Sequence, residues 1–155
     1  MFEEQLAGLK TAHALEHYKN HLEFLGYSIE EVNEFSIFCR HTRRDSLRLF
    51  LLNRGAGVLA QMMFTFPERF KNDLIPLYMY ANELNSIFLF TKAFIRTFDD
   101  GTPALVLSSV LEGDYSRQNF AVFLDNIEDD MKQFNAYPKT GAIWSTQSEN
   151  DVEAP

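Results

Sequence analysis

Apolar residues recur every three or four positions in three segments of the chain, a spacing typical of amphipathic helices. The first segment covers residues 11–25, and Gly26 follows it as a residue type that commonly ends a helix. The second begins after Asp73, a predicted N-cap, and continues to Leu84. The third begins at Ser116 and carries the clearest apolar stripe: Phe120, Phe123, Leu124, Ile127, Met131 and Phe134.

Other segments alternate between their two faces or are apolar on both, as β-strands do. The acidic stretch 29–34 is predicted to be a connector, and the run Asp99, Asp100, Gly101 is typical of a hairpin turn. The predicted strands are 35–41, 46–54, 58–66, 87–98 and 104–111. The sequence therefore predicts an α+β fold with an antiparallel five-stranded sheet and flanking helices, in the order helix-strand-strand-strand-helix-strand-strand-helix.

The length of 155 residues fits one domain with a core of its own. We predict a single α+β domain over residues 1–137. Residues 138–155 are mostly polar, which predicts a flexible C-terminal tail. Two interpretations of Trp144 remain open, because an aromatic residue in such a tail either anchors it on a neighbouring surface or is simply exposed.

The chain is acidic, with a formal net charge of -8 at pH 7. This charge repels phosphate groups, so it argues against nucleic acid and anionic membranes as partners and favours soluble proteins or peptides. A local exception is the basic run Arg40, His41, Arg43, Arg44. It falls where a hairpin turn is expected, and we interpret it as a solvated turn rather than a phosphate site.

Three features bear on where the protein resides. The apolar stretches are much shorter than the roughly 20 residues that span a bilayer, which predicts no membrane insertion. The first residues, Met1 to Glu4, are acidic where a secretory signal is basic. The single cysteine, Cys39, cannot form an internal disulfide. Together these features predict a cytoplasmic protein.

His13, His17 and His21 stand four residues apart and form a row on one face of a helix. Adjacent pairs suit a metal ion, but the outer two lie about 12 Å apart along the helix axis, too far for one ion. We therefore predict no metal site and interpret the row as a polar flank. A small metal-binding regulator or enzyme that uses this row is the alternative function.

The sequence indicates no catalytic residues and no cofactor. Cys39 lies among apolar strand residues with no base implied beside it, which is typical of an inert buried thiol. Ser108 and Ser109 lack the flanking glycines of a nucleophile elbow. No phosphate loop, dinucleotide fingerprint, zinc spacing or calcium loop is present in the sequence. We expect a protein that is not an enzyme.

The chain contains more apolar residues than one covered sheet face requires, including 15 phenylalanines. Both faces of the segment 46–54 are apolar at its centre, and only one of them needs to face a helix layer. A large exposed apolar surface generally marks an interface. Helices on both sheet faces are the alternative explanation. The residues that we predict to bind a partner are Phe38, Phe50, Leu52, Met62 and Phe64.

The predicted order of elements and three short motifs resemble the YbjN family and the class I type III secretion chaperones, which share a fold. The residues 22–27 (LEFLGY) resemble the end of the family's first helix, and 82–85 (NELN) the end of its second. The residues 111–113 (LEG) resemble the segment before its last helix. The resemblance extends over roughly residues 12–137.

This resemblance implies a homodimer that holds a segment of a client or regulatory protein, with no catalytic residues. In the secretion chaperones the second helix and the adjoining strand commonly form the dimer contact. Transferred to this sequence, the implied dimer interface is Leu77, Tyr78, Ala81, Leu84 and Phe88. The function expected from sequence is a non-enzymatic, chaperone-like or regulatory protein-binding module.

Overall fold

A computed structural model describes residues 15–52 and 56–145 of the chain. Helix α1 is described over residues 15–24, and a short 3-10 helix spans Glu68–Phe70. The remaining helices are α2 Ile75–Ile87, α3 Arg117–Ala136 and α4 Pro138–Trp144. The strands are β1 Ser28–Val32, β2 Ser36–Arg40, β3 Leu47–Leu51, β4 Gly57–Thr65, β5 Lys92–Thr97 and β6 Pro103–Glu112.

The six strands form one sheet in the order β1-β2-β3-β4-β6-β5, and every neighbouring pair is antiparallel. Side chains from all four helices join one face of this sheet in a common apolar core. Tyr18 of α1, Tyr80 of α2 and Phe120 of α3 are among its largest fully buried members. The fold is therefore a two-layer α+β arrangement, and the predicted fold class is confirmed in outline.

The sheet has six strands where the sequence predicts five. The additional strand, β1, occupies the acidic stretch interpreted as a connector, so that prediction is wrong. Only Ile29 and Val32 of β1 are apolar, and the register shifts between Ile29 and Glu31. Charged residues and bulges are common on edge strands, where they discourage pairing with other chains, and they hide the alternation on which strand prediction depends.

The predicted turns and helix ends agree with the structure better than the predicted connector at the sheet edge does. Gly26 has a φ of 95° and ends α1, and Gly101 has a φ of 86° in the β5–β6 hairpin. The Ser116 hydroxyl accepts a hydrogen bond from the Asn119 amide at the start of α3, as the N-cap prediction requires. Asp73 is not a cap, because α2 begins at Ile75 after Leu74 and has no side-chain cap.

The predicted flexible tail is corrected for residues 138–144, which form helix α4 on the core. Ile143 and Thr140 are buried, and the Thr140 hydroxyl lies 2.5 Å from the Tyr80 hydroxyl. Trp144 stacks on Phe66 with ring centroids 4.9 Å apart and donates its indole N–H to the Thr65 carbonyl. It thus anchors the chain on its own subunit. Residues 146–155 of the predicted tail lie outside the described residues.

Within residues 15–52 and 56–145, no helix is long and apolar enough to cross a membrane. A cytoplasmic location stays a prediction.

Candidate partner-binding surfaces

The face of the sheet that points away from the helices carries many apolar side chains among its polar ones. Paired residues of antiparallel strands share a face, so the strand register identifies its members. Met63 pairs with Val106, which pairs with Phe94, and Phe50 pairs with Leu59, which pairs with Val110. We name this surface the open sheet face; its apolar residues are Phe38, Phe50, Leu59, Met63, Phe94, Ala104, Val106 and Val110. Of these, Ala104 and Val106 are themselves fully buried.

Antiparallel sheets commonly expose one face to water, but that face is then usually polar. Here Met63 keeps 39% of its surface exposed and Val110 keeps 51%, although both occupy central strands of the sheet. Phe38, Phe50 and Leu59 are half-buried. Most of the apolar residues on this face form two clusters, Phe50, Leu59 and Val110 on one side and Met63, Val106 and Phe94 on the other, separated by the polar row of Gln61 and Ser108. Exposed apolar clusters on the uncovered face of a sheet indicate an interface.

Basic side chains flank the open sheet face on both sides. Arg48 of β3 lies 5.0 Å from the ring centroid of Phe38, and Lys92 of β5 lies 5.5 Å from that of Phe94. By the strand register, the basic residues on this face are Arg40, Arg48, Lys92 and Arg96, and the acidic ones are Glu31 and Glu112. A chain of net charge -8 therefore presents a face whose strand residues carry a net positive charge.

A shallow pocket of about 250 Å³ opens on this face. The residues that line it are Phe38, Ser46, Arg48, Gln61, Met62 and Met63. Arg48 also forms an ion pair of 3.3 Å with Glu31, and both groups are substantially exposed. An exposed pair of this kind contributes little to stability, so Arg48 can exchange its partner at small cost.

The predicted partner-binding residues divide between the two faces of the sheet. Phe38 and Phe50 lie on the open sheet face. Met62 and Phe64 point to the opposite, helix-covered face, where Met62 is buried and Phe64 packs against Phe134 at a centroid distance of 5.2 Å. Leu52 lies beyond the end of β3, half-buried beside Gly57.

The residues on the open face of β4 are Leu59 and Met63, which the sequence prediction missed. Successive residues of β4 point to opposite faces of the sheet, and both faces of the strand are rich in apolar residues. The face with Leu59 and Met63 also carries Gln61 and Thr65. Gln61 and Thr65 could have indicated which face of β4 is uncovered, because the core-facing side of a strand rarely carries polar residues.

Helix α2 carries a second apolar surface. Tyr78 and Met79 are 53% and 57% exposed, and Ile75 precedes them by one helical turn on the same side. We name these three residues the α2 surface. The only charged residue of α2 is Glu83, which accepts hydrogen bonds from the Tyr137 hydroxyl and the Lys139 ammonium. The bond from Tyr137 and then that from Lys139 hold the pKa of Glu83 below its usual range.

The implied dimer-interface residues lie mainly on the other side of α2. Leu77, Ala81, Leu84 and Phe88 are buried in the core of the subunit and cannot reach a second chain without unfolding, whereas Tyr78 is exposed. The buried side also includes Tyr80. The interface implied by the resemblance is thus corrected for four of its five residues, because both sides of α2 are apolar and the resemblance did not separate them.

The loop that joins α2 to β5 is held by a single buried carboxylate. Asp130 of α3 accepts hydrogen bonds of 2.8–3.0 Å from the backbone amides of Leu89, Phe90 and Thr91. Leu89 itself is 84% exposed. Asp130 therefore fixes an exposed apolar loop and sets where β5 begins.

Neither edge of the sheet is well suited to receive another strand. On the outer edge of β5, Ala93 uses both its N–H and its carbonyl in hydrogen bonds to the side-chain amide of Asn85 on α2. The other edge strand, β1, carries Glu30 and Glu31 and an irregular register. The faces of this subunit, rather than its edges, are the accessible surfaces for a partner.

The histidines of α1 take part in an aromatic contact. His17 stacks on Tyr115, and His21 Nδ1 lies 2.9 Å from the Tyr115 hydroxyl. Burial, and then the nearby Arg117 charge, lower the pKa of His21. His13 lies outside the described residues. In the described part of the chain, no group of three or more His, Cys, Asp or Glu side chains is arranged to hold a metal ion.

Cys39 is fully buried on the core face of β2. Its thiol lies 3.5 Å from the Leu47 carbonyl, and burial raises its pKa to about 12. The reactive thiolate form is therefore suppressed at neutral pH, in keeping with an inert core residue.

Comparisons with known proteins agree with this architecture. The chain is similar to the crystal structure of YbjN from E. coli, which is described as a putative transcription regulator, with a TM-score of 0.61 and 22% sequence identity. The alignment covers 79% of this chain and 91% of the other. At this identity the similarity shows the fold alone. Among curated proteins, none matches the chain.

The family comparison extends across the described domain. Residues 15–137 match the YbjN family, which is described as "Putative bacterial sensory transduction regulator". The likeness to type III secretion chaperones stays a prediction, because both matches are to YbjN. The matched residues run from the start of described α1 through the end of α3, and so include every strand of the sheet. The chain belongs to the YbjN family.

Proposed function

We propose that this protein is a regulatory, non-enzymatic module that binds a partner protein on its open sheet face and self-associates through its α2 surface. The observation that carries the proposal is the apolar open sheet face, which includes the exposed side chains of Met63 and Val110 on central strands. A regulatory or binding role is in keeping with the description of the family.

Two properties of the α2 surface support a second copy of the chain as its occupant. Ile75, Tyr78 and Met79 present an apolar strip on one side of a helix, and two such strips can pack around a two-fold axis. The single charge on α2, Glu83, is already compensated by Lys139. Two chains of net charge -8 approach one another most easily through such a neutral surface.

Site-specific photo-crosslinking tests both parts of the proposal. A photoreactive phenylalanine analogue is placed at position 63, at position 79, or at position 122 as the control. Val122 is a suitable control because it is 52% exposed on α3 and belongs to neither surface. In the cells of origin we expect position 79 to give a homodimer and position 63 to give a conjugate with another protein.

Sedimentation equilibrium measures the self-association directly. Met79→Asp places a charge in the centre of the α2 surface, and we expect it to weaken dimerisation by at least about a hundredfold, as the loss of an interface hot spot does. Val122→Asp is expected to leave the association constant unchanged. A wild-type protein that is monomeric at micromolar concentration would refute the dimer, and equal crosslinking from positions 63 and 122 would refute the partner-binding surface.

A further inference from the structure

The chemistry of the open sheet face identifies the kind of partner that it fits. We propose that this face binds an acidic amphipathic helix of a partner protein, laid along the central strands β4 and β6. This inference rests on the proposed function and specifies the class of ligand for the same surface.

The charge distribution argues for an acidic occupant. Arg48 on one side and Lys92 on the other side of the face are paired through Gln61 and Ser108, in a row that crosses four strands. Arg40 lies on β2, one strand beyond Arg48, and Arg96 lies on the same strand as Lys92, four residues along. Along β4 and β6, between these basic groups, apolar side chains lie on either side of the Gln61–Ser108 pair. Such an arrangement complements a ligand with an apolar stripe between two acidic flanks.

The dimensions of the face match a helix. Strands β3 and β5 are three strand spacings apart, about 14 Å, and a helix with its side chains is about 10–12 Å wide. The nine residues of β4 extend about 30 Å, the length of a helix of about 20 residues. Leu59 and Met63 of β4, with Val110 of β6, are the apolar side chains available under such a helix.

The pocket on this face supplies a place for an anchoring side chain. Its volume of about 250 Å³ accommodates a leucine or phenylalanine side chain. Arg48, which lines the pocket, is then within reach of a carboxylate one turn away on the same helix. A second copy of this chain is a poorer occupant, because two identical faces would oppose their basic residues.

Peptide binding tests the inference with a defined probe. The probe is a fluorescent peptide of about 20 residues, with leucines at helical spacing and glutamates on both flanks of the leucine stripe. The comparison peptide has lysine in place of every glutamate, and circular dichroism verifies that the two are equally helical. By anisotropy we expect the glutamate peptide to bind at least about tenfold more tightly than the lysine peptide.

Variants of the protein locate the binding. Reversal of the two flanking charges, R48E with K92E, is expected to weaken the glutamate peptide by at least about tenfold and to favour the lysine peptide. Met63→Asp is expected to abolish binding of both. The matched control, K19E with K132E, makes the same change in net charge on helices α1 and α3 and is expected to leave binding unchanged.

The outcomes separate this inference from the proposed function. Equal binding of the two peptides, or binding unaffected by the charge reversal, would overturn the acidic-helix assignment. If neither peptide binds while position 63 still crosslinks a protein in cells, the partner-binding function stands and the assignment of ligand chemistry fails. A single-stranded oligonucleotide is tested in the same way. If it binds, and if R48E with K92E and Met63→Asp weaken its binding as expected for the glutamate peptide, the face is a nucleic-acid site and the inference is wrong.

Discussion

The open sheet face and the α2 surface are both apolar, yet they differ in charge and in the way they are built. The open sheet face is formed by regular strands and flanked by Arg48 and Lys92, whereas the α2 surface is neutral and belongs to one helix. A neutral surface permits two acidic subunits to associate, and a basic one attracts an acidic partner. The comparison teaches that apolar exposure marks an interface, while the surrounding charge determines its occupant.

The largest expected effect concerns Asp130, which holds the loop between the two surfaces. Asp130→Ala removes the acceptor for three backbone amides and leaves them unpaired, so we expect a loss of about 3–5 kcal/mol in the free energy of unfolding. Chemical denaturation monitored by circular dichroism measures it.

Asp130→Asn is the matched control for that experiment. Its side-chain oxygen can still accept from Phe90 and Thr91, which share one oxygen of Asp130, so we expect a clearly smaller loss. If Asp130→Ala lowers the free energy of unfolding by less than about 1 kcal/mol, water replaces the carboxylate as acceptor. In that case Asp130 does not fix the loop between the two surfaces.

An intermediate effect distinguishes the two surfaces by their response to salt. Raising NaCl from about 50 mM to about 500 mM is expected to weaken binding of the glutamate peptide to the open sheet face by about tenfold, because salt screens exposed charges. Dimerisation through the α2 surface is expected to change by less than about twofold, since that surface is neutral. Anisotropy and sedimentation measure the two constants. Equal salt dependence would remove the distinction drawn between the surfaces.

The smallest expected effect lies away from both surfaces, at His21. Its pKa is lowered in the folded protein, so the unfolded chain binds more protons as the pH falls below about 6.5, and the free energy of unfolding decreases there. His21→Asn is expected to reduce this decrease, as measured by denaturation at pH 7.5 and pH 5.5. Both binding constants are expected to be unchanged by this substitution at neutral pH. An identical pH dependence in the variant would contradict a role for His21.

Much of the fold was predictable because its signals are local. The stripe from Phe120 to Phe134, the Ser116 cap and the glycines at positions 26 and 101 each specify a conformation through neighbouring residues. The edge strand β1 was not predictable in this way. Its acidic residues suit a solvated edge, and its partner, β2, is known only once the sheet is assembled.

The candidate surfaces were predictable in kind but not in detail. The excess of apolar residues predicted an interface; Phe38 and Phe50 lie half-buried on the open sheet face, and Tyr78 is exposed on α2. Met62 and Phe64, in contrast, were assigned to the wrong face, and Leu77 to an interface although it is buried. In β4 and α2 both sides are apolar, so periodicity reveals two faces without deciding which of them is covered.

The amino-acid sequence determined the types of element, their order and the presence of surplus apolar surface, since these depend on short-range spacing and composition. Only the tertiary structure decided which face of the sheet the helices cover, and that Asp130 reaches a loop about 40 positions earlier in the chain. It also gathered Arg48 and Lys92 on one face of an acidic protein. These relations depend on strand register and packing between distant segments, which no local pattern encodes.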